Sequence, residues 1–454
     1  MKNLFSFFLL LSLFSNPAQT LSVDIQENQA VLDYPEQIRF SLKASSDEVI
    51  ESVELIFGSD VITCGESLTR AFPEDYEPSK EVAVEWEWTL RRSGTVPPGT
   101  EVWWQWKLTD AAGNETVTPR QSLIFTDESI PWQIYPSDSL EIYWIEGDRS
   151  FARELAEAGE TALESLFELT GAEIEEVVRV YIYPSSDEMQ TATLFAPDWS
   201  GGTAFAEYRT VLAGVSPDNL SWGREVVAHE LTHVLIGVYT FSCVSDVPIW
   251  LNEGLAMYAE TSVGTSHDNE YARLDEAVEN NTLLTVREVS NLFSNDPDLA
   301  RLSYAQSLSL VQFLIEEYGQ ENMLAFFGAF KEGDSQDQAL NQVYGLDQDS
   351  LNDAWREWIG AAPMESASAP KATATRTPYP TIPPIGASEA ATSVPDPVEP
   401  SATPEPTATL LKPVSEDALE PGRANFPVYI LGGIVLAVIL IASFVLILRN
   451  RSAK

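Results

Sequence analysis

The segment Arg224-Glu225-Val226-Val227-Ala228-His229-Glu230-Leu231-Thr232-His233-Val234-Leu235 decides how this chain is read. Its pattern is helical, and Ser221 stands where an N-cap is expected. His229 and His233 are four positions apart, so both imidazoles leave the same face of that helix. Two neutral ring nitrogens at this spacing can meet one zinc ion at about 2.0–2.1 Å each. Glu230 follows the first histidine and can reach the reacting water without binding the metal, which is the position a general base needs. A catalytic zinc site takes three protein ligands and leaves one position open. The third is expected from Pro248-Ile249-Trp250-Leu251-Asn252-Glu253-Gly254-Leu255-Ala256-Met257-Tyr258-Ala259-Glu260, where Glu253 opens a second predicted helix. A loop through Cys243 and Pro248 lets the two helices lie side by side with Glu253 facing the histidines. The chain has 3 histidines, and two of them fall in this one motif, unlike the scattered histidines of cores and surfaces.

HExxH by itself arises by chance in unrelated helices; the two segments together are far more specific. Together they resemble the thermolysin-like, or gluzincin, metallopeptidases. Trp250-Leu251-Asn252-Glu253-Gly254 is close to the Trp-Leu-Asn-Glu-Gly of zinc aminopeptidases in that group. The run from Pro248 to Ala256 is similar to the Pro-x-Trp-Leu-x-Glu-Gly-x-Ala of bacterial peptidase MA-like domains. The resemblance spans roughly residues 140–359. It implies an α+β catalytic domain holding one catalytic Zn2+ on His229, His233 and Glu253. Glu230 is then the base for peptide-bond hydrolysis.

Three departures refine that expectation. Zinc aminopeptidases carry a Gly-x-Met-Glu-Asn segment whose glutamate holds the substrate's free amine. Gly201-Gly202-Thr203-Ala204-Phe205 stands in its place without a glutamate, which favours cutting within chains. Thermolysin-like enzymes often place an aspartate four residues beyond the glutamate ligand to orient a histidine, and here Met257 stands there. Glu260, seven beyond Glu253 on the same face, is the candidate substitute, with plain helix solvation as the competing reading. A donor is also needed where negative charge develops on the carbonyl oxygen. Tyr304, in a later helix, is the candidate catalytic partner of Glu230, and a tyrosine at the core's edge is the competing reading. His267, in the polar loop 264–269, reads as a surface residue.

Around this centre the chain divides into parts. Residues 1–20 read as a signal peptide, with Lys2, an apolar run from Leu4 to Phe14 and a cleavage region near Ala18. Residues 21–127 alternate as half-buried strands do: Val84, Trp86 and Trp88 point one way, Glu85, Glu87 and Thr89 the other. With the turn signals between runs, this region reads as an all-β immunoglobulin-like sandwich, and Leu108–Asn114 resembles the last hairpin of bacterial modules of that kind. Trp103, Trp104 and Trp106 are expected in its core. Residues 128–362 form the expected catalytic domain, with strands at 140–145 and 177–183 and strand character over 203–213, a candidate sheet edge for an extended substrate. A helix over 149–169 is expected to turn Leu155, Leu163, Leu166 and Phe167 toward a core, and most of the chain after Asn219 is expected to be helical. Residues 363–425, rich in Pro, Thr, Ser and Ala, read as a disordered stalk. Residues 426–448 read as a single transmembrane helix, and Arg449, Arg451 and Lys454 mark 449–454 as a cytoplasmic tail.

The formal net charge is -43, which repels phosphate backbones and excludes nucleic acid as a partner. Cys64 and Cys243 are too few for a disulfide framework, and the plainer reading is two buried thiols. A bridge between them would have to cross a domain boundary. The whole reading is therefore multidomain: a single-pass type I cell-membrane protein whose extracytoplasmic zinc domain acts on protein or peptide, tied to the bilayer by one span. The competing readings are an aminopeptidase-type exopeptidase and a non-catalytic zinc-binding adhesion or sensor protein. Oligomeric state is open.

Overall fold

The structure is a computed structural model that describes residues 22–65, 68–90, 96–192, 201–291, 293–294 and 296–364. The expected signal peptide, span and tail, and the stalk beyond residue 364, lie outside the described residues. Among the described residues no helix is long and apolar enough to cross a membrane.

The N-terminal part is all antiparallel β: β1 (Val23–Asp33), β2 (Gln37–Ser59), β3 (Thr69–Ala71), β4 (Ser79–Thr89), β5 (Thr100–Asp110), β6 (Glu115–Val117) and β7 (Gln121–Phe125). The expected alternation is present: Val82 and Val84 are buried while Ala83, Glu85 and Glu87 are exposed. The pairing is one bent sheet through β2, not two unconnected sheets. The first half of β2 pairs with β1 and β4, its second half with β5 and β3. A break in register between Ser45 and Ile50 lets the strand turn between the two layers. Both halves cover one core, in which Phe40, Leu55, Phe57, Trp104 and Trp106 meet. Trp103 is also buried, under the guanidinium of Arg120, so the tryptophans serve packing.

A second sheet follows, built from β8 (Gln133–Pro136), β9 (Leu140–Trp144), β10 (Val178–Tyr183), β11 (Gly202–Phe205) and β12 (Thr210–Gly214). Its order is β11-β12-β10-β9-β8, with β10 parallel to both neighbours and β11 antiparallel at the edge. The expected strand over 203–213 is thus two strands, divided by a 3-10 turn at Ala206–Tyr208 and by Arg209 at positive φ. The helix α1 (Arg149–Thr170) joins β9 to β10, and its ends follow from local chemistry. Asp148 accepts hydrogen bonds from the Ser150 and Phe151 amides, and Gly171 stops the helix in the left-handed region. Leu155 and Leu166 are buried as expected, but Phe167 is 50% exposed, one step beyond the buried stripe. The short α2 (Ser186–Thr191) follows β10.

The rest is helical: α3 (Leu220–Tyr239), α4 (Ile249–Ser262), α5 (Asp268–Asn280), α6 (Val286–Val289), α7 (Pro297–Tyr318), α8 (Gln320–Lys331), α9 (Gln336–Tyr344) and α10 (Gln348–Trp358). Asn219, not Ser221, occupies the N-cap of α3, and its side chain makes no capping bond. Val178, Val180 and Ile182 of β10 face α1 and α3, where Leu155, Val227, Leu231 and Val234 complete that core. Tyr181 and Tyr183 project from the opposite face and pack with Trp132. α4 lies against α7 so closely that a Cβ on Gly254 would stand 2.3 Å from the Ser307 carbonyl oxygen. This contact explains the glycine that follows Glu253.

The β module and the helical half belong to one compact unit. Cys64 and Cys243 are joined in a disulfide with Cα atoms 5.6 Å apart. The expectation of two buried thiols is corrected here: both residues are exposed, and each sits in a loop where the two halves meet. Sequence separation of 179 residues hid the pairing.

Candidate metal centre

α3 presents His229 and His233 one turn apart, with ring centroids at 4.8 Å. Antiparallel packing of α4 brings Glu253, at the start of its second turn, against them. The Nε2 atoms of His229 and His233 stand 3.5 and 3.7 Å from Glu253 Oε2. Two ligands held at 2.0–2.1 Å in a tetrahedron are about 3.4 Å apart, so three donors at this separation suit one zinc ion. Nδ1 of His229 donates to Glu260 Oε1 at 2.6 Å, and Nδ1 of His233 donates to Asn252 Oδ1 at 3.0 Å. Each bond places the ring proton on Nδ1 and leaves the Nε2 lone pair facing the common point. Among the described residues, Glu253 Oε2 is buried there with only the two imidazole nitrogens facing it. An unpaired carboxylate oxygen facing two imidazole lone pairs is what a cation site requires.

Within the protein itself the carboxylates and imidazoles act on one another. Burial alone would lower the His229 pKa, but Glu253 and Glu260 outweigh it and hold it well above the ordinary value. Burial would raise Glu253, but the two imidazoles draw it below the usual carboxylate range. Glu230 goes the other way: burial, with the Glu253 and Glu260 charges nearby, pushes its pKa up. Its carboxylate lies under the first residue of β11, where a Cβ on Gly202 would stand 2.6 Å from Glu230 Oε1. A glycine is the residue that lets the edge strand pass this close.

Tyr304 on α7 lines the same cleft as His229 and Glu230, with Phe293 packed against its ring at 5.1 Å. Burial raises its pKa, so the phenol remains a hydrogen-bond donor. Glu260 is the buried partner of His229, and the solvation reading falls away. His267 is 5% exposed, not a surface residue. It donates from Nε2 to the Met257 carbonyl at 2.8 Å and stands 3.5 Å from Glu260 Oε2. Its polar loop gave no hint that the chain folds back under α4. Asn252 was missed as well, although its place beside Glu253 was the available signal.

Residues 158–361 match the family model described as the Peptidase MA superfamily. They form a peptidase MA domain. The match begins inside α1, so the strands β8 and β9 precede it in the same sheet. The match and the donor set together are those expected of a zinc metallopeptidase domain of the gluzincin kind. Among solved structures, an M1 zinc metallopeptidase from Deinococcus radiodurans aligns at 13% identity and TM-score 0.35, over 76% of this chain and 96% of that one. An aminopeptidase N family protein from Idiomarina loihiensis aligns at 11% identity and TM-score 0.38, over 70% of this chain and 73% of that one. Wild-type OgpA from Akkermansia muciniphila aligns at 10% identity and TM-score 0.19, over 24% of this chain. The chain spans 29% of the length of OgpA. These scores fall short of a shared whole-chain fold. A search of curated proteins finds no match.

Proposed function

We propose that this chain is a membrane-anchored, extracytoplasmic zinc endopeptidase. The observation that carries the endopeptidase reading is the cleft around His229, Glu230 and Tyr304. Among the described residues it continues on both sides of them, toward Trp222 and His267 in one direction and toward Phe241 and Asp246 in the other. A chain cut in its middle needs room on both sides of the scissile bond. The edge strand β11 runs along this cleft with residues 202–204 lining it, so an extended substrate backbone has a strand beside it to pair with. The stretch Gly201–Phe205 also offers no carboxylate for a free amine.

Zinc held by His229, His233 and Glu253 would supply Lewis-acid polarisation and a more acidic water. The chain's own residues do the rest. Glu230, its basicity raised by burial, takes a proton from the attacking water as the oxygen bonds to the carbonyl carbon. The C–N bond then breaks, and Glu230 passes that proton to the leaving nitrogen. Tyr304 donates its hydroxyl toward the carbonyl oxygen as charge builds there. Glu260 and Asn252 hold the two imidazoles in orientation. Placement outside the cytoplasm is supported by the exposed disulfide, which persists in oxidising compartments, and by the leader and span read from the sequence.

A fragment of residues 22–364, loaded with zinc, should cut a mixed peptide library at internal bonds. Chelation should abolish the cuts and added zinc restore them. Release of single residues from amino ends alone would replace this reading with the exopeptidase one. Stoichiometric zinc with no cleavage would leave a binding or sensor protein.

A further inference from the structure

Among the described residues, the β module meets the walls of the catalytic cleft through a short stretch, from Ser59 at the end of β2 to Cys64. This stretch holds two separate cleft walls. The first is the turn between β11 and β12. The Ile62 amide donates to the Glu207 carbonyl at 3.1 Å. Tyr208 packs on the apolar core of the β module, and its hydroxyl shares a hydrogen bond with Ser59. The second wall is the loop between α3 and α4, which Cys64 holds through its disulfide to Cys243. Both walls face the same side of the cleft: Ala206 and Glu207 line it from the turn, Phe241, Asp246 and Val247 from the loop.

The catalytic half also touches both walls, through Arg179 on the Tyr208 carbonyl and Ser245 on the Phe330 carbonyl, so the β module adds a second tie to each. The turn contains a non-glycine residue at positive φ, Arg209. The loop exposes Val244 at 82% and Phe241 at 37%, and its apolar anchor is Val247 at the far end, so its middle has little apolar burial. We infer that residues 59–64 are a positioning clamp, setting the spacing between edge strand and inter-helix loop and so the fit of substrate on the Phe241 side. The β module is then a part of the peptidase's substrate site and not a separate adhesive head. Tyr208, Ile62 and the Cys64–Cys243 pair are its positioning residues. None touches the metal ligands, so the clamp acts on substrate binding and not on the bond-breaking step.

The inference rests on the peptidase reading for its kinetic consequence, but the clamp itself can be tested without turnover. The full chain would be compared with Ile62→Pro, which deletes the amide donor but keeps the disulfide, and with Cys64→Ser/Cys243→Ser, which does the reverse. Amide hydrogen exchange should quicken about tenfold or more in residues 202–208 in the first variant and in 241–247 in the second. Each variant should also loosen the partner wall, while α1 and α7 keep their rates and zinc content is unchanged. Unchanged exchange at 202–208 and 241–247 in whichever variant folds would overturn the clamp. So would loosening confined to the wall whose tie was cut. On fluorescein-labelled casein, each variant should raise KM about tenfold with kcat within about twofold. A loss in kcat at constant KM would overturn the positioning role. Wild-type chain inert on casein would instead count against the peptidase reading, leaving the exchange result to judge the clamp.

Discussion

The β module and the peptidase MA domain bury polar groups for different reasons. In the module the buried hydroxyls and carboxylates have structural partners, while Trp106 Nε1 is buried without a hydrogen bond. Thr118 accepts from the Trp106 amide, Thr100 donates to the Pro97 carbonyl, and Asp110 collects the amides of its hairpin turn. Glu54 faces Arg70. In the catalytic half, among the described residues, Glu230 is buried with no cationic side chain bonded to it, and Glu253 Oε2 faces only two imidazoles. A fold that tolerates such groups meets their desolvation cost with something they bind or transform. The difference marks where the chemistry lies without reference to any relative.

The sharpest way to break that contrast is Glu230→Gln. If the buried carboxylate is there for chemistry, the variant should fold, keep zinc, and lose roughly 10³–10⁴-fold in kcat. Full activity would remove the mechanism. On the other side of the comparison, Trp106→Ala empties a fully buried site in the module core. It should destabilise the chain by about 3–5 kcal/mol, read as a fall in Tm, with zinc affinity unchanged in the folded fraction. A stable variant would mean that the module core contributes little.

Smaller substitutions sharpen the picture within the site. Tyr304→Phe should lower kcat by about 10–1000-fold if the hydroxyl meets the developing oxyanion. An unaffected kcat would move that role elsewhere. Glu260→Gln keeps an acceptor for His229 Nδ1 but removes the charge. Zinc affinity should fall by about 10–100-fold, as should that of Asn252→Ala at His233, measured by competition with a chromogenic chelator. Equal affinity in both variants would make these contacts packing alone.

What could be read early was local. The α3 histidines were legible because a spacing of four fixes direction on any helix, and the strands of the module because alternation has a period of two. Tyr304 was legible only as a candidate, since nothing nearby in sequence says which face of α7 turns inward. The hairpin at 202–214 read as one strand because Ala206–Arg209 carries no glycine or proline to mark the turn. His267 read as a surface residue because its neighbours are polar, while its burial depends on α4 and α5 folding over it.

The sequence by itself singled out His229, His233 and Glu253 as the candidate ligand set, Glu230 as the candidate base, and a β part followed by a mainly helical part. Tertiary structure alone decided the partners of those residues. His229 finds Glu260 across 31 positions, His233 finds Asn252 across 19, and Cys64 finds Cys243 across 179. The physical reason is range. Helical and strand periods fix where a side chain points relative to its own neighbours. Which distant group it meets is set by how the helices and sheets close over a shared core.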